Sequence, residues 1–357
     1  MSPKAPRRGL VLLLAIALIG AACDDEGGRE DERVPGAGAL REYDPDATLD
    51  ATEEPVERTG AFVATKVTYR SLDETVPGYL SLPTAGGQPF PCIVVQHGFN
   101  GSKEDARGVW GPFAAAGFGT LAIDARLHGE RGTPSQLEAA SGNAVDMRAV
   151  LEGTAVDLRR GLDYLSRRPE CDEDRLGFLG LSMGAFLGAV VAGADERVRA
   201  TALVVGGGDW RTFFEQTELP ELGWARESAA NLDDAVEELD PIDPANWVGL
   251  VSPRPVLMIN GDADTIVPPD SARALHEAAG EPKDVVWFQG GHLALGVEFI
   301  RTVVTIFGWF VVNLGLAPSG EAAFAAPHRA LPARTRPAQA VAAASAATAR
   351  APVAAIE

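Results

Sequence analysis

Ser182 stands in Gly180-Leu181-Ser182-Met183-Gly184, directly after the apolar run Leu176-Gly177-Phe178-Leu179. Small apolar residues follow at once. The pattern predicts a strand, a sharp turn with the serine at its apex, and a helix. A Cβ at Gly180 or Gly184 would crowd such a turn. A hydroxyl held there is exposed at a helix N-terminus, in position to attack an acyl carbon. A serine hydroxyl is a weak nucleophile at neutral pH, so it needs a neighbouring base, and that base needs an orienting carboxylate.

The chain carries five histidines. In a sheet that presents a serine in this way, the order along the chain is Ser, acid, His. His97 and His128 precede Ser182. His276 falls inside an expected helix, and His328 in a low-complexity end. His292 remains, in Gln289-Gly290-Gly291-His292 after the last expected strand, where two glycines let the loop bend back. The acid belongs between Ser182 and His292. Asn260-Gly261-Asp262-Ala263-Asp264-Thr265-Ile266-Val267-Pro268 ends a strand and opens a turn. Asp264 is the first choice there and Asp262 the alternative, one of them having the turn-forming role common to aspartates after strands. The tetrahedral oxyanion needs backbone N–H donors, each worth ~3 kcal/mol of transition-state stabilisation. Met183, after the nucleophile, offers one. Phe99, in Gln96-His97-Gly98-Phe99-Asn100-Gly101, offers the other, with His97 bracing that loop.

These residues require a frame. Phe62 to Arg70 and Val76 to Leu82 read as an opening antiparallel pair. Buried-strand runs follow at Cys92 to Gln96, Gly119 to Ile123, the stretch ending at Ser182, Ala200 to Val205, Pro255 to Asn260 and Asp284 to Phe288. Between Val145 and Arg167, Leu151, Ala155, Leu158, Leu162 and Leu165 form one helical stripe. Further helices are expected near Asp270 to Ala279 and Leu293 to Leu314. Such alternation predicts an α/β fold, a mostly parallel sheet flanked by helices on both faces. The last helix is apolar, but Glu298, Arg301 and Asn313 interrupt it, so it reads as a core helix. Residues 207–250 form an insertion rich in aromatics, a small cap over the site. Trp210, Phe213, Phe214 and Trp224 line a substrate pocket, or pack a small core with Trp247; the sequence leaves both open.

The N-terminus is a separate matter. Lys4, Arg7 and Arg8 precede a short apolar run, Leu10 to Ile19, and then Gly20-Ala21-Ala22-Cys23. Residues 1–22 have the layout of an export signal. They resemble a lipoprotein signal, with Gly20 where leucine is usual and Cys23 where the lipidated cysteine would stand. The expectation is an exported protein, anchored to a membrane through Cys23 or released. Residues 23–60 read as a disordered acidic tether, 61–316 as the working domain, and 317–357 as an Ala/Pro-rich low-complexity tail. Net charge is −19, which disfavours nucleic acid as a partner. Export permits a disulfide, and whether Cys92 and Cys171 pair is open from sequence. No metal-ligand spacing and no phosphate-cradling loop occurs, so no metal and no cofactor is expected.

Taken together, His97-Gly98-Phe99, Gly180-Leu181-Ser182-Met183-Gly184, Gly261-Asp262-Ala263-Asp264-Thr265-Ile266-Val267-Pro268 and Gly291-His292 resemble the α/β-hydrolase superfamily, most of all its dienelactone-hydrolase and acyl-esterase-like branch. The resemblance covers about residues 61–316. It implies the α/β-hydrolase fold and a serine esterase acting on small-molecule esters, with Ser182 as nucleophile, His292 as base and Asp264 as acid. Dienelactone hydrolases themselves use cysteine, and Ser182 departs from that. Asp124-Ala125-Arg126-Leu127-His128-Gly129 resembles a stretch that braces the site in that family. A peptidase of the prolyl-oligopeptidase type has similar motifs but usually carries a large N-terminal propeller, for which these residues leave no room. An acyltransferase and a hydrolase-like surface binding protein are the remaining readings.

Overall fold

A computed structural model describes residue 40 and residues 43–315. The expected export signal at 1–22, Cys23 and the expected tail at 317–357 lie outside the described residues. Nine strands form one sheet: β1 (Thr52–Arg58), β2 (Phe62–Ser71), β3 (Glu74–Pro83), β4 (Phe90–Gln96), β5 (Gly119–Ile123), β6 (Cys171–Leu181), β7 (Val198–Val204), β8 (Val256–Gly261) and β9 (Lys283–Phe288). Their order across the sheet is β1-β2-β3-β5-β4-β6-β7-β8-β9. The β1–β2, β2–β3 and β3–β5 pairs are antiparallel, and every pair from β5 to β9 is parallel.

Helices cover both faces. On one lie α1 (Arg107–Ala115) and, much later, α9 (Val297–Asn313), whose Phe113, Trp309 and Phe310 pack on Ile93, Ala202 and Leu257. On the other lie α2 (Pro134–Ser141), α3 (Ala144–Ser166) and α4 (Met183–Ala194). The helix α3 starts where the Asn143 side chain accepts the Asp146 N–H at 2.9 Å. Its stripe Leu151, Ala155, Leu158, Leu162 and Leu165 is buried, as the spacing predicts. Between β7 and β8 stand α5 (Trp210–Gln216), α6 (Ala229–Leu239) and α7 (Pro244–Val248); α8 (Pro269–Ala278) follows β8. Among the described residues, no helix is long and apolar enough to cross a membrane.

Two features depart from the sequence reading. Residues 43–60, expected as tether, are folded: Leu49 is buried, the Tyr43 hydroxyl donates to Asp163, and β1 adds an outermost strand to β2. Every residue of β1 is solvent-exposed. With no buried face there is no apolar alternation to announce it; backbone pairing with β2 holds it, helped by Glu53, which accepts from the Tyr164 hydroxyl at 2.7 Å and pairs with Arg168. The second feature settles an open point: Cys92, in β4, and Cys171, opening β6, form a disulfide across adjacent strands.

Candidate active site

The turn between β6 and α4 holds Ser182 at φ 55° and ψ −118°, a conformation side chains rarely adopt. A Cβ on Gly180 would lie 2.1 Å from the Gly184 carbonyl oxygen, and one on Gly184 would lie 2.3 Å from the Gln96 oxygen. Both positions therefore require glycine for the turn to close. The neighbouring loop passes equally near, since a Cβ on Gly98 would approach Ser182 Cβ to 3.2 Å.

Ser182 Oγ lies 2.9 Å from His292 Nε2, and His292 Nδ1 lies 2.8 Å from Asp264 Oδ2. Asp264 is 3% exposed, and its Oδ1 accepts the N–H groups of Ile266 and Val267 at 2.8 and 3.0 Å. A carboxylate has only acceptors to offer, so Nδ1 carries a proton and donates it to Asp264. Nε2 is then left to accept from the serine hydroxyl. Asp262 does something different. Its Oδ1 accepts the Gly290 N–H at 3.0 Å, and its own N–H donates to Phe288. It folds the histidine loop back over β8, while Asp264 meets the ring.

Met183 begins α4, so its N–H has no carbonyl four residues back in the helix. Phe99 borders the same cavity as Ser182, Met183 and His292. His97 braces the Phe99 loop: Nδ1–H donates to the Gly98 carbonyl at 2.8 Å, and Nε2 accepts the Ala125 N–H at 3.1 Å. Burial pushes the His97 pKa down to about 4. His276 on α8, bonded to Asn260 Oδ1, is likewise pushed by burial to about 4. The unfolded chain takes up these protons near pH 6.5 and the folded one only near pH 4, so stability falls as pH drops through that window. Each histidine is expected to cost about 2 kcal/mol between pH 7 and pH 5. Urea midpoints at the two pH values measure the sum, and His276→Gln should remove about half of it. A midpoint that is flat with pH would contradict the assignment.

A buried ionic cluster went unrecognised in the sequence. Lys103 Nζ contacts Asp124 Oδ2 at 2.8 Å and Glu130 Oε1 at 2.7 Å, and the Lys103 N–H donates to Asp124 Oδ1. Asp124 is fully buried and also accepts the Glu130 N–H. This ties the Phe99 loop to the loop after β5. A signal was present: an aspartate closing the wholly apolar strand β5 must find a cation, since a buried charge persists only when paired.

A cavity of about 240 Å³ opens beside Ser182. Among the described residues, no Asp, Glu, Lys or Arg side chain lines it. Leu137, Met147, Val150 and Leu151 from α2 and α3 form one wall; Phe186, Trp210, Phe213, Leu219 and Leu222 form the other. Of the four aromatics expected at a pocket, Trp210 and Phe213 line it. Phe214 and Trp224 do not: Phe214 is fully buried behind them, and the Trp224 indole N–H donates to the Ser141 carbonyl at 2.7 Å. They pack the cap onto α2. Both readings of the cap aromatics hold, each for two residues. Among the described residues, no cluster of His, Cys, Asp or Glu has the arrangement to hold a metal ion.

Comparison with known proteins agrees with this geometry. The sequence profile of the prolyl oligopeptidase family matches residues 112–314. The esterase YjfP of Escherichia coli is 26% identical over 230 residues, covering 61% of this chain and 88% of that protein. The acetyl xylan esterase of Paenibacillus sp. R4 superposes with a TM-score of 0.66 at 21% identity, covering 80% of this chain and 93% of that one. An acylaminoacyl peptidase of Pyrococcus horikoshii superposes with a TM-score of 0.60 at 17% identity, covering 73% of this chain and 43% of that one. With the match spanning more than half of its length, the chain belongs to the prolyl oligopeptidase family and is a serine hydrolase of the α/β-hydrolase superfamily.

Proposed function

We propose that this protein is a serine carboxylesterase working through an acyl-enzyme. The observation that carries the reading is the hydrogen-bonded line from Asp264 through His292 to Ser182 at the mouth of an uncharged apolar cavity. Ser182 Oγ attacks the ester carbonyl carbon while His292 Nε2 takes its proton. The oxyanion is received by the N–H groups of Phe99 and Met183. Collapse expels the alcohol, which takes the proton back from His292, and the acyl group stays on Ser182. Water then attacks, His292 again accepting a proton; collapse breaks the bond to Ser182 Oγ, which takes that proton back from His292, and the carboxylic acid leaves.

The peptidase activity in the family is the second reading. The apolar lining by Leu137, Met147, Leu151, Phe186 and Trp210 suits an apolar acyl chain, which supports the ester reading. A fluorophosphonate probe should label Ser182, located by peptide mass spectrometry. The protein should hydrolyse p-nitrophenyl butyrate and leave aminoacyl p-nitroanilides intact. Cleavage of the anilides at comparable kcat/KM would transfer the assignment to a peptidase; a folded protein that labels nowhere would remove the enzymatic reading.

Export and anchoring through Cys23 form part of the same proposal. The disulfide between Cys92 and Cys171 supports it, because such bonds persist in oxidising compartments.

A further inference from the structure

We propose that the stacked pair Phe186 and Trp210 is the floor of the acyl site, and that the substrates are esters of unbranched, uncharged acyl groups of up to about eight carbons. The inference rests on the ester reading and extends it to a substrate class. A methylene occupies about the room of a water molecule, ~30 Å³. A cavity of about 240 Å³ therefore holds roughly eight such groups.

The position of the floor follows from the nucleophile turn. Phe186 lies one helical turn beyond Ser182, its N–H bonded to the Ser182 carbonyl at 3.2 Å. Its ring lines the cavity together with Ser182 and Met183. The Trp210 indole stacks on it, centroids 5.2 Å apart and planes at 21°. Trp210 is held at both ends. Its backbone N–H donates to Asp243 Oδ2 at 2.8 Å, and its indole N–H donates to the Leu239 carbonyl at 2.9 Å. An indole pinned in this way does not swing aside for a longer chain.

Behind the pair lies a second, very small void of about 10 Å³, bounded by Ala155, Leu187, Val190 and Ile242. Phe186, Trp210 and Leu151 are walls of both spaces. Removing the indole would join them and deepen the site along an apolar path.

Within the cavity each added methylene should raise kcat/KM by up to about fourfold. The wild-type protein is expected to improve from p-nitrophenyl acetate to the hexanoate or octanoate, then fall at least tenfold by the dodecanoate. In Trp210→Leu the dodecanoate-to-hexanoate ratio of kcat/KM should rise about tenfold. Each readout is a ratio within one protein, so a partly unfolded variant still reports. Trp210→Phe, a milder change, should shift the ratio in the same direction by less. A ratio unchanged in Trp210→Leu overturns the floor and leaves the esterase reading intact. So does a shift that appears only when the alcohol chain is lengthened on a fixed acetyl group. Wild-type protein that hydrolyses no acyl ester overturns both.

Discussion

Ser182→Ala should lower kcat for p-nitrophenyl esters by about 10⁵- to 10⁶-fold and leave the melting temperature nearly unchanged. The size follows from the loss of the nucleophile; the residual rate comes from binding and the oxyanion donors. Stability should survive because Ser182 makes its side-chain bond to His292 at a partly open surface and fills no core. The companion variant Asp264→Asn tests the line of hydrogen bonds separately. A carboxamide can present N–H to His292 Nδ1, which moves the ring proton to Nε2 and turns it toward the serine. The expected loss is about 10⁴-fold. Steady-state turnover of purified, folded variants measures both. Unchanged turnover in Ser182→Ala would take the serine out of the mechanism; unchanged turnover in Asp264→Asn would make Asp264 a loop-former like Asp262.

The second large effect concerns stability. Cys92 and Cys171 are 79 residues apart, and their bond closes that loop in the unfolded chain. Chain entropy alone assigns about 4–5 kcal/mol to a loop of this length. Replacing both cysteines with alanine should lower the melting temperature by about 10–15 °C. Reductant should lower the wild-type value by a similar amount and leave the double variant unaffected. Free thiols at both Cys92 and Cys171, located by alkylation and peptide mass spectrometry of the unreduced, denatured wild-type chain, would show that the bond does not form.

Much of the catalytic centre was legible because its constraints are local. Gly180, Ser182 and Gly184 sit within five residues and are fixed by one turn, and Gly290 and Gly291 mark the loop that carries His292. Asp264 was the first choice over Asp262 from the sequence, and the hydrogen bonds show how two aspartates of one turn divide: Asp264 meets His292, and Asp262 accepts the Gly290 N–H. Parallel strands such as β4 and β7 announce themselves by continuous apolar runs. The edge strand β1 has no buried face and gave no such sign. The burial of Lys103 was not legible because its partners, Asp124 and Glu130, lie more than twenty positions away. The cap aromatics divided for a similar reason: Phe213 and Phe214 are adjacent in sequence, yet successive helical positions point in different directions.

The outermost strand also bears on how these molecules meet one another. An open sheet edge is a template on which a second chain can add its own strand. Along β1 that invitation is withdrawn. Pro55 lacks an N–H to offer, the register with β2 slips between Pro55 and Glu57, and the exposed Glu54 and Glu57 place negative charge on the rim. Identical neighbours crowded together would therefore repel at this border rather than zip into fibrils.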